Sequence, residues 1–316
     1  MKHFAKFSAF ALCVLGVLRA SGQQPPVFRG TGDVVRVFVT VIDKDGRLAT
    51  KLTREAFEIR DEGKPQPITQ FDDTPRPVRL IVLLDVSGSM EGNLPLLRAA
   101  SQQLFARLSP DDVARVGTFG REVTISPTFT RDAHALLAAL PDAIAPDAPT
   151  PLWRAIDQAL DAFGQESDSR PVILVLSDGK DAPAPSFRQR SISQVEIIER
   201  ARRDEVMIYG VGMRSRPRQQ PMPGIGAGAL QAMLMADMPD PGLARVAEET
   251  GGGYTEIRFG QDLGAAFADV ADELHNQYLL GFAPPKRDGK VHHINVRMAR
   301  GGLTPRARKS YMAAKE

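Results

Sequence analysis

The sequence predicts an α/β fold: a doubly wound, mostly parallel sheet with helices on both faces. A small β-sandwich-like subdomain, built from the N- and C-terminal segments, accompanies it. Three observations carry this. Between Val78 and Leu274, short apolar runs alternate with segments of helical spacing, the pattern of β-α units. Two of the runs, Val78 to Leu84 and Val172 to Leu176, are almost unbroken, as in strands covered on both faces. Residues 34–72 and 278–311 carry strand signatures and no helical pattern, and each is too short to stand alone.

Taken in order, residues 1–22 read as a secretory signal: Lys2 and Lys6, then an apolar stretch from Phe7 to Leu18, then small Ala20 and Gly22 at a cleavage site. Leu12 before Cys13 argues against lipidation at that cysteine. Residues 23–33 form a flexible lead-in rich in Gln, Pro and Gly. The N-terminal β segment spans 34–75. It holds the β-branched run Val34 to Ile42, and a hairpin with arms Phe57 to Arg60 and Gln66 to Phe71 around Glu62-Gly63-Lys64.

The α/β domain spans 76–275. Strands are expected at Val78–Leu84, Val113–Phe119, Val123–Ile125, Val172–Leu176 and Val206–Val211. Helices are expected at Leu94–Leu108, Ala133–Leu140, Leu152–Phe163, Ser191–Asp204, Leu243–Glu249 and Leu263–Leu274. Gly251-Gly252-Gly253 supplies a glycine stop. Residues 213–240, rich in proline, glycine and methionine, read as a loop insertion. The C-terminal β segment, 276–316, is expected to pair with 34–75. Its nine Lys/Arg between 286 and 316 read as a solvated strand edge.

Composition narrows the function. The chain has 316 residues and a formal net charge of +2, which excludes a strongly basic nucleic-acid binder and an acidic disordered chain. After the signal no apolar run is long enough to span a bilayer. A single cysteine excludes an internal disulfide and a cysteine metal cluster.

The chemistry concentrates at Asp85-Val86-Ser87-Gly88-Ser89, directly after the first buried strand. Open parallel sheets bind ligands at the carboxyl ends of their strands. One carboxylate and two hydroxyls are hard oxygen donors suited to Mg²⁺ or Mn²⁺. Asp178 follows the strand 172–176 and reaches the same rim, and Thr150 precedes another helix.

This arrangement resembles the von Willebrand factor type A (VWA) domain and its metal-ion-dependent adhesion site. Leu83 to Met90 is similar to the bacterial form of the motif. The segments 39–43, 57–64, 278–282 and 306–311 are similar to the flanks of the bacterial VWFA-related family. The resemblance implies that Asp85, Ser87, Ser89, Thr150 and Asp178 hold the metal. Pro149 stands where that family usually has glycine. Together with the signal segment, the resemblance gives an expected exported protein, periplasmic or secreted, with envelope association open. It would bind, through Mg²⁺ or Mn²⁺, a protein that presents an Asp or Glu carboxylate.

Other readings stay open at this point. Asp85 and Asp178 also suit turns, Thr150-Pro151 suits a helix N-cap, and Asp181 suits a solvated acid. A metal-independent structural module of the cell envelope is one alternative function. A metal-dependent hydrolase is another, but no motif places a general base near Asp85. Ser177 to Lys180 spells S-x-x-K, but it ends a strand where a nucleophile of that type opens a helix. His275, His292 and His293 lack zinc spacing. The expectation is a binding protein and no enzyme.

Overall fold

The structure is a computed structural model that describes residues 34–164, 169–178, 180–183, 190–213, 240–258 and 262–315. The expected signal segment, the lead-in and nearly all of the 213–240 insertion lie outside the described residues. Among the described residues no helix is long and apolar enough to cross a membrane.

Two antiparallel four-stranded sheets come from the two ends of the chain. The N-terminal part supplies β1 (Val35–Asp43), β2 (Phe57–Asp61), β3 (Lys64–Gln66) and β4 (Gln70–Asp72). The C-terminal part supplies β11 (Tyr278–Phe282), β12 (Val291–Met298), β13 (Leu303–Arg306) and β14 (Ser310–Met312). One sheet has the order β13-β1-β11-β4, the other β14-β12-β2-β3. Neither end supplies a complete sheet. Val35, Val37, Val39 and Val41 alternate inward from β1 and share a core with Phe57, Ile59, Leu280, Phe282, Ile294 and Tyr311. The Tyr278 hydroxyl donates to Ala49 O (2.8 Å) and accepts from Leu52 N–H (3.0 Å), stitching the two ends together.

The expected hairpin is only half a hairpin. β2 turns into β3, with Glu62 and Gly63 at positive φ, but β4 leaves for the other sheet and pairs with β11. Phe71 accounts for this. Its ring lies 6.0 Å from both Phe57 and Tyr278, so its place is between the two sheets.

The central sheet has the order β10-β9-β8-β5-β6-β7. It comprises β5 (Val78–Asp85), β6 (Val113–Phe119), β7 (Val123–Ile125), β8 (Arg170–Ser177), β9 (Met207–Met213) and β10 (Tyr254–Ile257). All pairings are parallel except that of the edge strand β7. Helices α1 (Leu94–Ala106), α2 (Ala133–Ala138) and α6 (Leu263–His275) cover one face, over Leu80, Val82 and Leu84. Helices α3 (Leu152–Ala162), α4 (Gln194–Arg203) and α5 (Pro241–Thr250) cover the other, over Ile81 and Leu83. β5 is therefore buried on both sides, which is why its sequence shows no alternation. From β5 the chain proceeds first to β6 and β7 and then, on the opposite side, to β8, β9 and β10. This reversal opens a crevice beyond the carboxyl end of β5.

Of the basic residues of the C-terminal stretch, Lys286, Arg287, Lys290, Arg297, Arg300 and Lys315 are exposed, as on a solvated edge, while three others meet acids. Arg306 pairs with Glu273 of α6, Arg308 with Glu205 (3.0 Å) and Lys309 with Glu248 of α5 (3.5 Å). These charges face the α/β domain because β13 and β14 lie against it, an arrangement that depends on pairing across the whole chain.

Candidate functional site

The parallel register of β5 and β8 matches Leu84 with Leu176, so the two strands end level. Asp85 and Ser177 are thereby neighbours, and Ser177 Oγ donates to Asp85 Oδ2 at 2.6 Å. The other oxygen of Asp85 accepts the Ser87 backbone N–H at 2.9 Å, which folds the chain back over the strand end. Ser87 Oγ lies 3.1 Å from Ser89 Oγ, and Ser89 Oγ donates to Asp178 Oδ1 at 2.8 Å. Asp85, Ser87, Ser89 and Asp178 thus form one connected cluster. Asp85, Ser87 and Asp178 are buried, while Ser89 is exposed and marks the open side.

The loop is held by its backbone. Val86 N–H donates to Phe119 O, and Gly88 N–H donates to Ala148 O. A Cβ at Gly88 would overlap the Pro146 carbonyl, so glycine alone lets the loop approach this closely.

Thr150 sits on the adjoining loop, tied to Ala182 by a two-way backbone bridge (3.0 and 2.8 Å) and buried. That bridge sets it beside the segment that follows Asp178. No hydrogen bond from its hydroxyl joins the cluster among the described residues. Nor does Thr150 cap α3: Pro151 occupies the N-cap position, and Asp181 Oδ1 accepts the Trp153 N–H at 3.1 Å. Asp181 is half-buried, not solvated. Burial raises its pKa, and its own N–H donates to Asp240, the N-cap of α5. Ser177 and Asp181 are the residues that sequence reasoning missed. Ser177 had a signal, as the final residue of an apolar strand. Asp181 had none.

Electrostatics make the cluster unusual. Burial, and then the negative charge of Asp178, push the Asp85 carboxyl up to about 7, against the pull of hydrogen bonds from Ser177 and Ser87. No basic group is among the neighbours that shift it. Two buried carboxylates with hydroxyl neighbours are a set of hard oxygen donors that suits a divalent ion. The residues present therefore fit the metal that the fold implies.

A second group lies in the β-sandwich. Asp61, Glu62 and His292 present three ligand atoms within 4.8 Å of one another. Both ring nitrogens of His292 already face carboxylates, Asp61 at 3.3 Å and Asp288 at 3.1 Å, and the Tyr311 hydroxyl donates to Asp61 at 3.0 Å. Local spacing does not reveal this group, because Asp61 and His292 meet only through the β2–β12 pairing.

Residues 80–180 match the family model of the von Willebrand factor type A domain. The chain carries a VWA segment there. Solved structures of low identity are also similar to this chain. BatB from Bacteroides thetaiotaomicron, a conserved hypothetical protein, is 18% identical, with 62% of this chain and 97% of that chain covered and a TM-score of 0.45. A von Willebrand factor type A protein from Catenulispora acidiphila is 12% identical, with 90% and 74% covered and a TM-score of 0.47. An aerotolerance-related membrane protein from Bacteroides fragilis is 14% identical, with 62% and 98% covered and a TM-score of 0.43. No curated protein matches the chain. The cluster around Asp85 lies inside the matched VWA segment, whereas both sandwich sheets lie outside it.

Proposed function

We propose that this VWA domain is a divalent-cation-dependent protein-binding module of an exported protein. The observation that carries the proposal is the cluster of hard oxygen donors at the crevice of the sheet, in which buried Asp85 and Asp178 are joined through Ser87 and Ser89. Asp85, Ser87, Ser89 and Asp178 would hold Mg²⁺ or Mn²⁺, with Thr150 from the adjoining loop. Bound there, the metal supplies a Lewis-acidic point. Serine hydroxyls leave its charge undercompensated, which favours an Asp or Glu carboxylate from a partner protein. The chain's own residues do the rest: Ser177 and the Ser87 N–H fix both oxygens of Asp85, and Gly88 holds the loop against Pro146. The protein is read as a binder and not an enzyme, in the periplasm or outside the cell, with the N-terminal segment as the export signal.

The test is calorimetric titration of Mg²⁺ and Mn²⁺ into the protein and into its Asp85→Ala variant. Saturable binding near one equivalent, lost in the variant while the circular dichroism spectrum is kept, is the expected result. Equal binding by both proteins would remove the site. Absence of binding by both would favour a metal-independent structural module of the cell envelope.

A further inference from the structure

The second feature lies at the other end of the central sheet. A cavity of about 100 Å³ opens at the amino ends of β8 and β9, where β1 and β14 of the sandwich meet α4 and α5. Arg170 and Ser177 bound β8, so this cavity lies roughly 23 Å along the strand from the Asp85 cluster, at ~3.3 Å per residue.

Five arginines line it: Arg36, Arg76, Arg170, Arg202 and Arg308. Only two acids do, Glu205 and Glu249. Glu205 is shared by Arg308 (3.0 Å) and Arg36 (3.8 Å), and Asp72 from outside the lining holds Arg76 (2.5 Å). Even with Asp72 counted, positive charge is in excess. Arg202 makes no ion pair among the described residues.

Arg170 is the sharpest case. It is only 7% exposed, bonds Gln277 Oε1 and Leu274 O, and lies 4.5 Å over the Phe38 ring. Among the described residues no carboxylate lies in ion-pair contact with it, and buried Asp112 acts on it only at longer range. Burial lowers its pKa to about 10, so it stays charged at neutral pH. Arg170 Nε, Arg308 Nε and Ser310 Oγ, all on lining residues, are buried without a hydrogen-bond partner among the described residues. Buried charges are ordinarily paired, and unsatisfied buried donors ordinarily mark an ion or water.

We propose that this junction between the VWA domain and the sandwich is a binding site for a small phosphate-type oxyanion. Guanidinium forks match the oxygens of such an anion bidentately. A single water needs about 10–15 Å³ measured in this way, so the cavity has room for one tetrahedral oxyanion group. The anion is either free or the phosphoryl end of a small ester, and it adds contact counter-charge at Arg170 and Arg202, neither of which has an ion pair among the described residues.

The test titrates inorganic phosphate and, separately, glycerol 3-phosphate into the full chain at constant ionic strength, by calorimetry and by thermal unfolding. Saturable binding of either near one equivalent is expected, with a Tm rise that chloride does not reproduce. Affinity should fall at least tenfold in Arg202→Gln, a half-exposed position whose change leaves folding intact, and in Arg170→Met. Tighter phosphate binding identifies a free anion, and tighter glycerol 3-phosphate binding identifies an ester. No saturable binding of either, a Tm rise matched by chloride, or full affinity in Arg202→Gln would overturn the proposal.

Discussion

With divalent cations removed, replacing Asp85 by Asn should stabilise the protein at neutral pH and leave it unchanged near pH 4. The folded carboxyl titrates at about 7 against an ordinary value of 3.8, so the native state holds this proton more tightly than the unfolded chain does. Its stabilising contribution is therefore fully present below about pH 4 and is lost as pH rises through about 7. A displacement of roughly three units, at 1.36 kcal/mol each, makes the loss about 4 kcal/mol by pH 8. That is a large part of a typical total of about 5–15 kcal/mol. Asn keeps the size, and its amide can face Ser177 Oγ, because a hydroxyl accepts as well as donates. Urea unfolding of both proteins in chelator at pH 4, 6 and 8 measures the difference. Asp112, whose burial is more than offset by His275 and by two backbone N–H groups, titrates low and changes stability in the opposite sense. It is common to both proteins and cancels. A difference that stays flat from pH 4 to 8, or an Asn variant less stable at pH 8, would refute the reasoning. Metal binding must expel the same proton, so Mg²⁺ affinity should fall about tenfold per pH unit below 7.

Two further predictions concern the frame around the site. Gly88→Ala drives a methyl into the Pro146 carbonyl, a backbone atom that cannot swing aside, and should cost about 1–3 kcal/mol by chemical denaturation and weaken Mg²⁺ binding. A chain truncated after His275 loses β11 and β12, an inner strand of each sandwich sheet. Limited proteolysis should then cleave rapidly within 35–72, and equal protection in both chains would refute the shared sandwich.

The VWA half of the molecule was legible because its signals are local. The apolar runs of β5 and β8 are continuous for the physical reason that helices cover both faces, and a carboxylate at the end of such a strand lands in the crevice. What stayed hidden depends on register. The hydroxyl that binds Asp85 belongs to Ser177, and nothing in the local sequence says that β5 and β8 end level; only the pairing of Leu84 with Leu176 does. Thr150-Pro151 reads locally as a cap, yet the donor at the start of α3 finds Asp181 on another loop, because the Thr150–Ala182 bridge draws the two loops together. The same limit hid the partners of three of the C-terminal charges. In the linear sequence they look like the protected edge of a sheet. In the fold β13 and β14 carry Arg306, Arg308 and Lys309 onto glutamates at or beside the helices of the VWA domain.

That displacement has a consequence for how the two halves are joined. Their interface is polar as well as apolar: Gln277, between α6 and β11, donates to Thr40 of β1 (2.8 Å) and to Tyr209 of β9 (3.1 Å), and accepts from Arg170. A buried network of this kind is strong only while every member is satisfied, because an unpaired group in a low-dielectric interior is costly. The sandwich is thus fastened to the amino ends of the same strands whose carboxyl ends carry Asp85 and Ser177. β8 runs from Arg170 in this network to Ser177 in the cluster, so the cation-binding rim rests on a strand whose other end is anchored in the sandwich.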